Sequence, residues 1–295
     1  MPEGSRSVVV RLALVVGLPL AASAAAISAT HALEPGDPTR EGPPDAEAPV
    51  PKQPGVLRIA GTGSALPLVR ELAAEFQKTR SGVRVTVEPS IGSRGGVQAT
   101  ADGAVDIGLT MRPLADAESE LGLVALPLAR SPIVLAANRS VPDDRIDTRD
   151  LRDLIDGSRP VRWSNGHRAL FVSRERDDTA WKVLGRMLPI VKAALAEAPR
   201  LGRWRVVYFD DDMEVALEGT PDAVGLHDLG AIGIQRLDLK VVRIGGLDPT
   251  APEYPYFKEL HLLTRGTAEG LAAEFIALAH SAEGRRIAAE GGYRP

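Results

Sequence analysis

The sequence predicts an α/β fold in which a mainly parallel sheet carries helices on its faces. Three observations lead there. Short β-branched runs alternate with amphipathic stretches from Val56 onward. Two glycine-bearing turns, GTGS at Gly61–Ser64 and GSRGG at Gly92–Gly96, each follow such a run and precede a helical pattern. The chain has 295 residues, 44% of them hydrophobic, which is enough for one large domain or two lobes.

The elements follow in order. Residues 56–60 form a strand. Residues 66–78 carry a helical stripe of Leu68, Val69, Leu72, Ala73 and Phe76. Residues 83–87 alternate as a second strand, 96–101 make a short helix, and 105–109 a third strand. An apolar strand is expected at 133–137 and a helix at 148–155, with Asp147 or Thr148 as its cap. A strand at 169–172 leads through 173–179 into a helix at 180–188. Residues 206–209 are a strand, and Asp210–Asp212 can cap a helix over 213–218. Strands at 224–226, 241–244 and 260–263 follow. Residues 268–280 are amphipathic, and Ser281 can cap a last helix that ends at Gly291-Gly292. No internal repeat is seen.

The N-terminus reads differently. Arg6 and Arg11 flank the start of an apolar, small-residue stretch at 12–26, and Ala22-Ser23-Ala24 and Ala24-Ala25-Ala26 offer cleavage sites. Residues 1–32 are therefore expected to be an export signal. Retention as a membrane anchor is the competing reading, since 12–29 is nearly long enough to span a bilayer. Either places the body outside the cytoplasm, periplasmic or extracellular. Residues 33–54 include EPGDPTREGPPDAEAPVPKQP, a proline-rich acidic linker that cannot bury enough surface to order itself. The folded domain is expected over 55–295.

Composition removes several functions. The formal charge of -4 gives no basic face for nucleic acid. With no cysteine there is no disulfide, thiol chemistry or lipidated cysteine. His31, His167, His227, His261 and His280 are scattered without metal-ligand spacing. Asp210-Asp211-Asp212 lacks calcium-loop spacing and reads first as a helix cap. There is no GxSxG elbow. Gly61-Thr62-Gly63 with Glu88 begins a dinucleotide fingerprint, but Leu66 stands at its third glycine. Trp163, Trp181 and Trp204 are spaced for packing rather than for stacking a ligand. No metal and no cofactor are expected, and the chemistry is binding rather than catalysis.

Both glycine turns fall at strand ends that feed helices. Such ends leave free backbone N–H groups where the helix dipole favours an anion. Two of them in one segment suggest one anion held from two sides.

The order of motifs resembles the phosphate-binding-protein-like branch of the periplasmic solute-binding proteins, over nearly all of 55–295. GTGSALP is similar to that family's first ligand loop, SIGSRGGV to its second, and VDIGLTMRPL to the strand and loop that follow. RERDDT, AVGL, YPYFKELHLLT and the closing EFIALAHSAEGRRIAAEGGYRP continue the match. The resemblance implies a two-lobed type II binding-protein fold, with mixed sheets flanked by helices and a two-strand hinge. Lobe 1 would be 55–126 with 256–295, and lobe 2 would be 127–255. It implies capture of an inorganic oxyanion, phosphate first, by a monomer that delivers it to an ABC permease.

Carried over residue by residue, the ligand set is Thr62, Gly63 and Ser64 of the first loop and Ser93, Arg94 and Gly95 of the second. Thr110, Arg174 and Thr179 complete it. Ser64 can also serve as a helix N-cap, and Arg94 can either meet an oxyanion or point to water. Two departures stand out. Met111 occupies the place of an acid that accepts a proton from protonated phosphate. Asp177-Asp178 replace a Ser-Gly pair between Arg174 and Thr179. A carboxylate about 4 Å from phosphate costs on the order of 4 kcal/mol at a near-surface dielectric. Two readings follow. Either the aspartates turn away, one capping the next helix and one pairing with Arg174 or Arg176, or the site takes another ligand. The alternative to uptake is the same fold with a degenerate cleft, acting as an extracytoplasmic sensor or partner-binding module.

Overall fold

The computed structural model describes residues 54–197 and 205–295. The signal at 1–32, nearly all of the linker at 33–54, and Trp204 lie outside the described residues. Among the described residues no helix is long and apolar enough to cross a membrane.

The first half of the fold is a βαβ arrangement. Strand β1 (Val56–Gly61) turns through a short 3-10 segment into α1 (Leu66–Lys78). The predicted stripe of α1 is buried, with Leu68, Val69, Leu72 and Phe76 at no measurable exposure. Strands β2 (Arg84–Val87) and β3 (Ile107–Thr110) lie on either side of β1, parallel to it. Between them runs α2 (Gly92–Ala101). It begins four residues before the expected start, so GSRGG is not a loop but the first turn of the helix. Gly96 is required there. A Cβ would lie 2.9 Å from the Gly61 Cα, so only glycine lets α2 settle on β1.

A short α3 (Asp116–Ser119) precedes β4 (Leu123–Ala137), a 15-residue strand. Only its last third was expected. Its first part pairs antiparallel with β10 (Phe257–Arg265) from Leu123 to Pro132, and its last part pairs with the other half of the sheet. Pro127 would break a regular ladder. The register shift opposite Leu260/His261 accommodates it as a bulge. Strands β4 and β10 thus run through the sheet and make it mixed rather than mainly parallel.

The second half holds β5 (Arg145–Ile146), α4 (Thr148–Asp156), β6 (Leu170–Arg174), α5 (Thr179–Met187), α6 (Pro189–Glu197) and β7 (Arg205–Val207). Then come α7 (Asp210–Gly219), β8 (Ala223–Asp228), α8 (Leu229–Gln235) and β9 (Lys240–Ile244). After β10 the chain closes with α9 (Gly270–Ala279) and α10 (Ala282–Glu290). Sheet order is β2-β1-β3-β10-β4-β8-β6-β7, with β9 on β4 and β5 on β9. The architecture is an α/β sheet, curled and open, flanked by helices.

The apolar interior is divided. One core joins α1, β1, β3 and β10 with Phe275 and Tyr293. A second packs α4, α5 and α6, with Trp163 and Trp181, against one face of the other half-sheet. A third lies under α7 and α8 on the opposite face. Helix α8 touches two of them. Its Ile232 belongs to the third core, and its Ile234 packs on the first.

Candidate functional site

The ends of β1, β6 and β8, the start of α7 and the middle of the sheet meet where the cores adjoin. Five charged side chains collect there. Lys258 lies on β10 at an inward position and is buried. Its ammonium donates to Asp228 Oδ2 at 2.8 Å and to Ser64 Oγ at 3.3 Å, and stands 3.8 Å from Asp178 Oδ1. Arg174 ends β6. Its Nε donates to Asp178 Oδ2 at 3.2 Å, and its Nη2 is 3.8 Å from Asp210 Oδ2. The Ser64 hydroxyl donates to Asp210 Oδ1 at 3.1 Å. Tyr293 donates its phenol to the Ser64 carbonyl at 3.1 Å.

The two aspartates of the RERDDT motif part company. Asp177 is exposed and 3.7 Å from Lys182. Asp178 takes on both of the roles expected of the pair, the helix cap and the partner of Arg174. It caps α5, accepting from the Ala180 N–H at 2.7 Å, while it faces Arg174 and Lys258. Burial works to raise its pKa, but Lys258 and Arg174 prevail and hold it below the ordinary carboxylate value. Lys258 is likewise penalised by burial and yet held well above its ordinary value by Asp178, Asp228 and Asp210. Both are charged at neutral pH.

Two carboxylates of the cluster stand at a helix end and at a glycine turn. Asp178 fills the N-terminus of α5. Asp210 fills the space beside the first glycine turn: a Cβ on Gly63 would collide with Asp210 Oδ2. Two buried atoms of the cluster have no hydrogen-bond partner, Arg174 Nη1 and Asp228 Oδ1. Surface pockets of about 290 Å³ beneath Phe171 and of about 360 Å³ beside His261 lie elsewhere, and no residue of the cluster lines either.

Of the residues anticipated from sequence, Gly63, Ser64 and Arg174 meet at this cluster. Ser64 is not a helix cap. Helix α1 starts two residues later, with Ala65 at the cap position and no side-chain bond there. Thr62 sits beside the cluster in extended conformation, its N–H bonded to the Leu109 carbonyl. Ser93 Oγ accepts from the Met111 N–H at 3.4 Å, and Gly95 lies against the Ile91 side chain. Arg94 is exposed. Thr110 donates to the Arg112 carbonyl, and Arg112 forks onto Glu118. Met111 is buried in the first core. Thr179 opens α5, and no bond from its hydroxyl is seen among the described residues.

Sequence reasoning missed Lys258 and Asp228 as site residues and took Asp210 for a cap. Helix α7 instead begins at Asp210, with Phe209 at its cap position and no side-chain cap bond. Lys258 left one signal: a lysine at an inward step of an alternating strand needs a buried counter-charge. Among the histidines, His227 is buried. Its Nδ1 accepts from the Asp228 N–H at 2.7 Å, and its Nε2 faces Glu214 Oε1 at 3.3 Å. Gln235 already donates to that oxygen at 2.7 Å. Among the described residues no three His, Asp or Glu side chains converge to hold a metal.

A model of the PBP superfamily domain matches residues 46–283. No curated protein matches the chain. Similar solved structures include a putative phosphate ABC transporter substrate-binding protein with bound phosphate from Clostridium perfringens. It is 18% identical, over 81% of this chain and 98% of that one, with a TM-score of 0.68. An ABC-type phosphate transport receptor from Vibrio cholerae is 19% identical over 81% and 99%, with a TM-score of 0.57. The regulatory domain of Synechocystis PCC6803 CcmR in complex with 2-PG is 15% identical over 80% and 96%, with a TM-score of 0.50. At these identities the likeness is one of fold.

Proposed function

The chain belongs to the PBP superfamily, and from that premise we propose that it is a non-catalytic binding module whose cleft no longer holds a free oxyanion. Its lobes are 55–126 with 256–295 and 127–255, and β4 and β10 form the hinge between them. It works outside the cytoplasm as a sensor or partner-binding module, tethered through the linker at 33–54. The observation that carries this reading is the placement of Asp178 and Asp210. They take the two positions, a helix N-terminus and the glycine turn, that an anion would use. Three carboxylates already face two cations. Each further carboxylate about 4 Å from phosphate costs on the order of 4 kcal/mol.

The rival is phosphate uptake with an ABC permease. It is favoured by the two phosphate-transport proteins that share the fold, one with phosphate bound and the other a transport receptor. A thermal-shift titration of the dialysed protein separates the two. Phosphate, sulfate, tungstate and molybdate are expected to give no shift. Selective stabilisation by phosphate, about 2.7 kcal/mol at 100 times its Kd, would restore uptake and overturn the sensor reading.

A further inference from the structure

We propose a second binding site, apart from the Lys258 cluster, that takes a small organic carboxylate with an apolar body. It is the cavity of about 360 Å³ beside His261, a volume within the range of small-ligand pockets. The bulge in β4 lies at its wall. The register steps from Ala129 opposite Leu260 to Pro127 opposite His261, so Leu128 is an extra residue without a partner across the ladder. A bulge bends its strand and interrupts the ladder. His280, at the end of α9, reaches the bulged strand and donates from Nε2 to the Pro127 carbonyl at 2.8 Å. Leu128, Ala129, Leu260 and Ala279 line the space and are buried residues of the first core. They give the cavity an apolar floor.

The charge of the lining argues for an anion. Arg130, Arg285 and Arg294 line the cavity, and Glu259 is the one acidic side chain among the lining residues. Arg285 donates to the His280 carbonyl, and Arg294 to the carbonyls of Pro249, Ala251 and Pro252, all neutral acceptors. The guanidinium carbons of Arg130 and Arg294 stand 5.1 and 4.6 Å from the centre of one ring, that of Phe257. Among the described residues none of the three arginines forms an ion pair.

Arg130 and Arg294 also exchange both backbone hydrogen bonds, at 2.7 and 2.8 Å, as an antiparallel bridge. Residues so paired project their side chains from the same face, and like charges directly opposite repel. Glu259 stands opposite Arg130 in the ladder with β10 but is exposed and does not close on it. A carboxylate between the guanidiniums relieves the repulsion, and its two oxygens match their planar forks. An inorganic anion would meet the arginines and leave the leucine floor to water. An uncharged apolar molecule would cover the floor and leave the arginines uncompensated.

Isothermal titration of the full chain with benzoate, 3-phenylpropionate and octanoate tests this, with benzyl alcohol as the uncharged control and acetate as the anion without a body. Saturable binding of at least one of the three acids is expected, with none of benzyl alcohol or acetate. Arg130→Gln and Arg285→Gln should each weaken it about tenfold, the loss of one hydrogen bond to a charged group. Arg70→Gln, at an exposed position of α1, should leave it unchanged. Circular dichroism and unchanged melting of the free variants would show that they fold, and Arg285, exposed on α10, carries the test alone if Arg130→Gln unfolds. Binding that survives the substitutions, equal binding of benzyl alcohol, or no acid bound at millimolar concentration would overturn the proposal.

Discussion

Lys258 carries a disproportionate share of the cluster. Its ammonium compensates Asp228 directly and Asp178 at longer range, in a place without access to water. Removing one partner of a buried pair leaves the other charge uncompensated, which costs about 3–5 kcal/mol. Lys258→Met is expected to lower unfolding free energy by that amount in urea denaturation, and a loss below about 1 kcal/mol would show the network to be loose. Asp178 adds a pH dependence. Its folded pKa lies below the unfolded value of about 3.9. Its stabilisation is therefore present above that value and is lost as pH falls through the folded one. Asp178→Asn should flatten the stability curve below about pH 4; an unchanged acid limb would contradict the pairing. Lys258 has the opposite sign, and its contribution is lost only at strongly alkaline pH. At this scale the sequence was half informative. Asp177-Asp178 were visible as a departure because they interrupt a local motif. Lys258 and Asp228 were not, because their pairing depends on strand positions 30 residues apart in the chain.

Two helix starts were legible from their caps, because a cap is decided within four residues. Asp147 accepts from the N–H groups of Arg149 and Asp150 at 2.9 and 2.8 Å, and Ser281 accepts from that of Gly284 at 3.1 Å. Asp147→Ala should cost about 1 kcal/mol, read from the shift in the urea midpoint at unchanged slope; no shift would mean that α4 is held by its core contacts alone. Strands were less legible where tertiary structure overrides local signals. Pro127 and Pro132 punctuate β4 and hid two thirds of it, yet the bulge opposite Leu260/His261 absorbs the first and the ladder with Phe257 includes the second. The glycines of GSRGG suggested a loop because their helix propensity is poor. Close packing of Gly96 on Gly61 outweighs that cost and draws the whole motif into α2.

For the molecule as a whole, alternation of strands and helices was enough to give the fold class, since it needs only periodicity. It did not give the antiparallel centre of the sheet, because β4 and β10 are adjacent only after 120 or more intervening residues have folded. Helix α8, also unforeseen, has a consequence for motion. Glycines at two of its positions press directly on the segment that follows the last helix: Gly230 lies against the Tyr293 ring and Gly233 against the Gly291 carbonyl, with no room for a Cβ at either. Its opposite side holds Ile232 among residues under α7. Such a helix behaves like a shaft keyed into two blocks. It cannot slide against either, so any change of angle between the blocks must be taken up at its two ends. One end is Arg236, which already holds a left-handed φ of 53°. The other is Asp228, whose carboxylate grips Lys258. Native-state hydrogen exchange should find the amides of α8 as slow as those of β4, with faster exchange confined to those ends. A torque on the whole molecule is thus delivered to the buried pair of Asp228 and Lys258, and the angle of the blocks and the grip of that pair become a single coordinate.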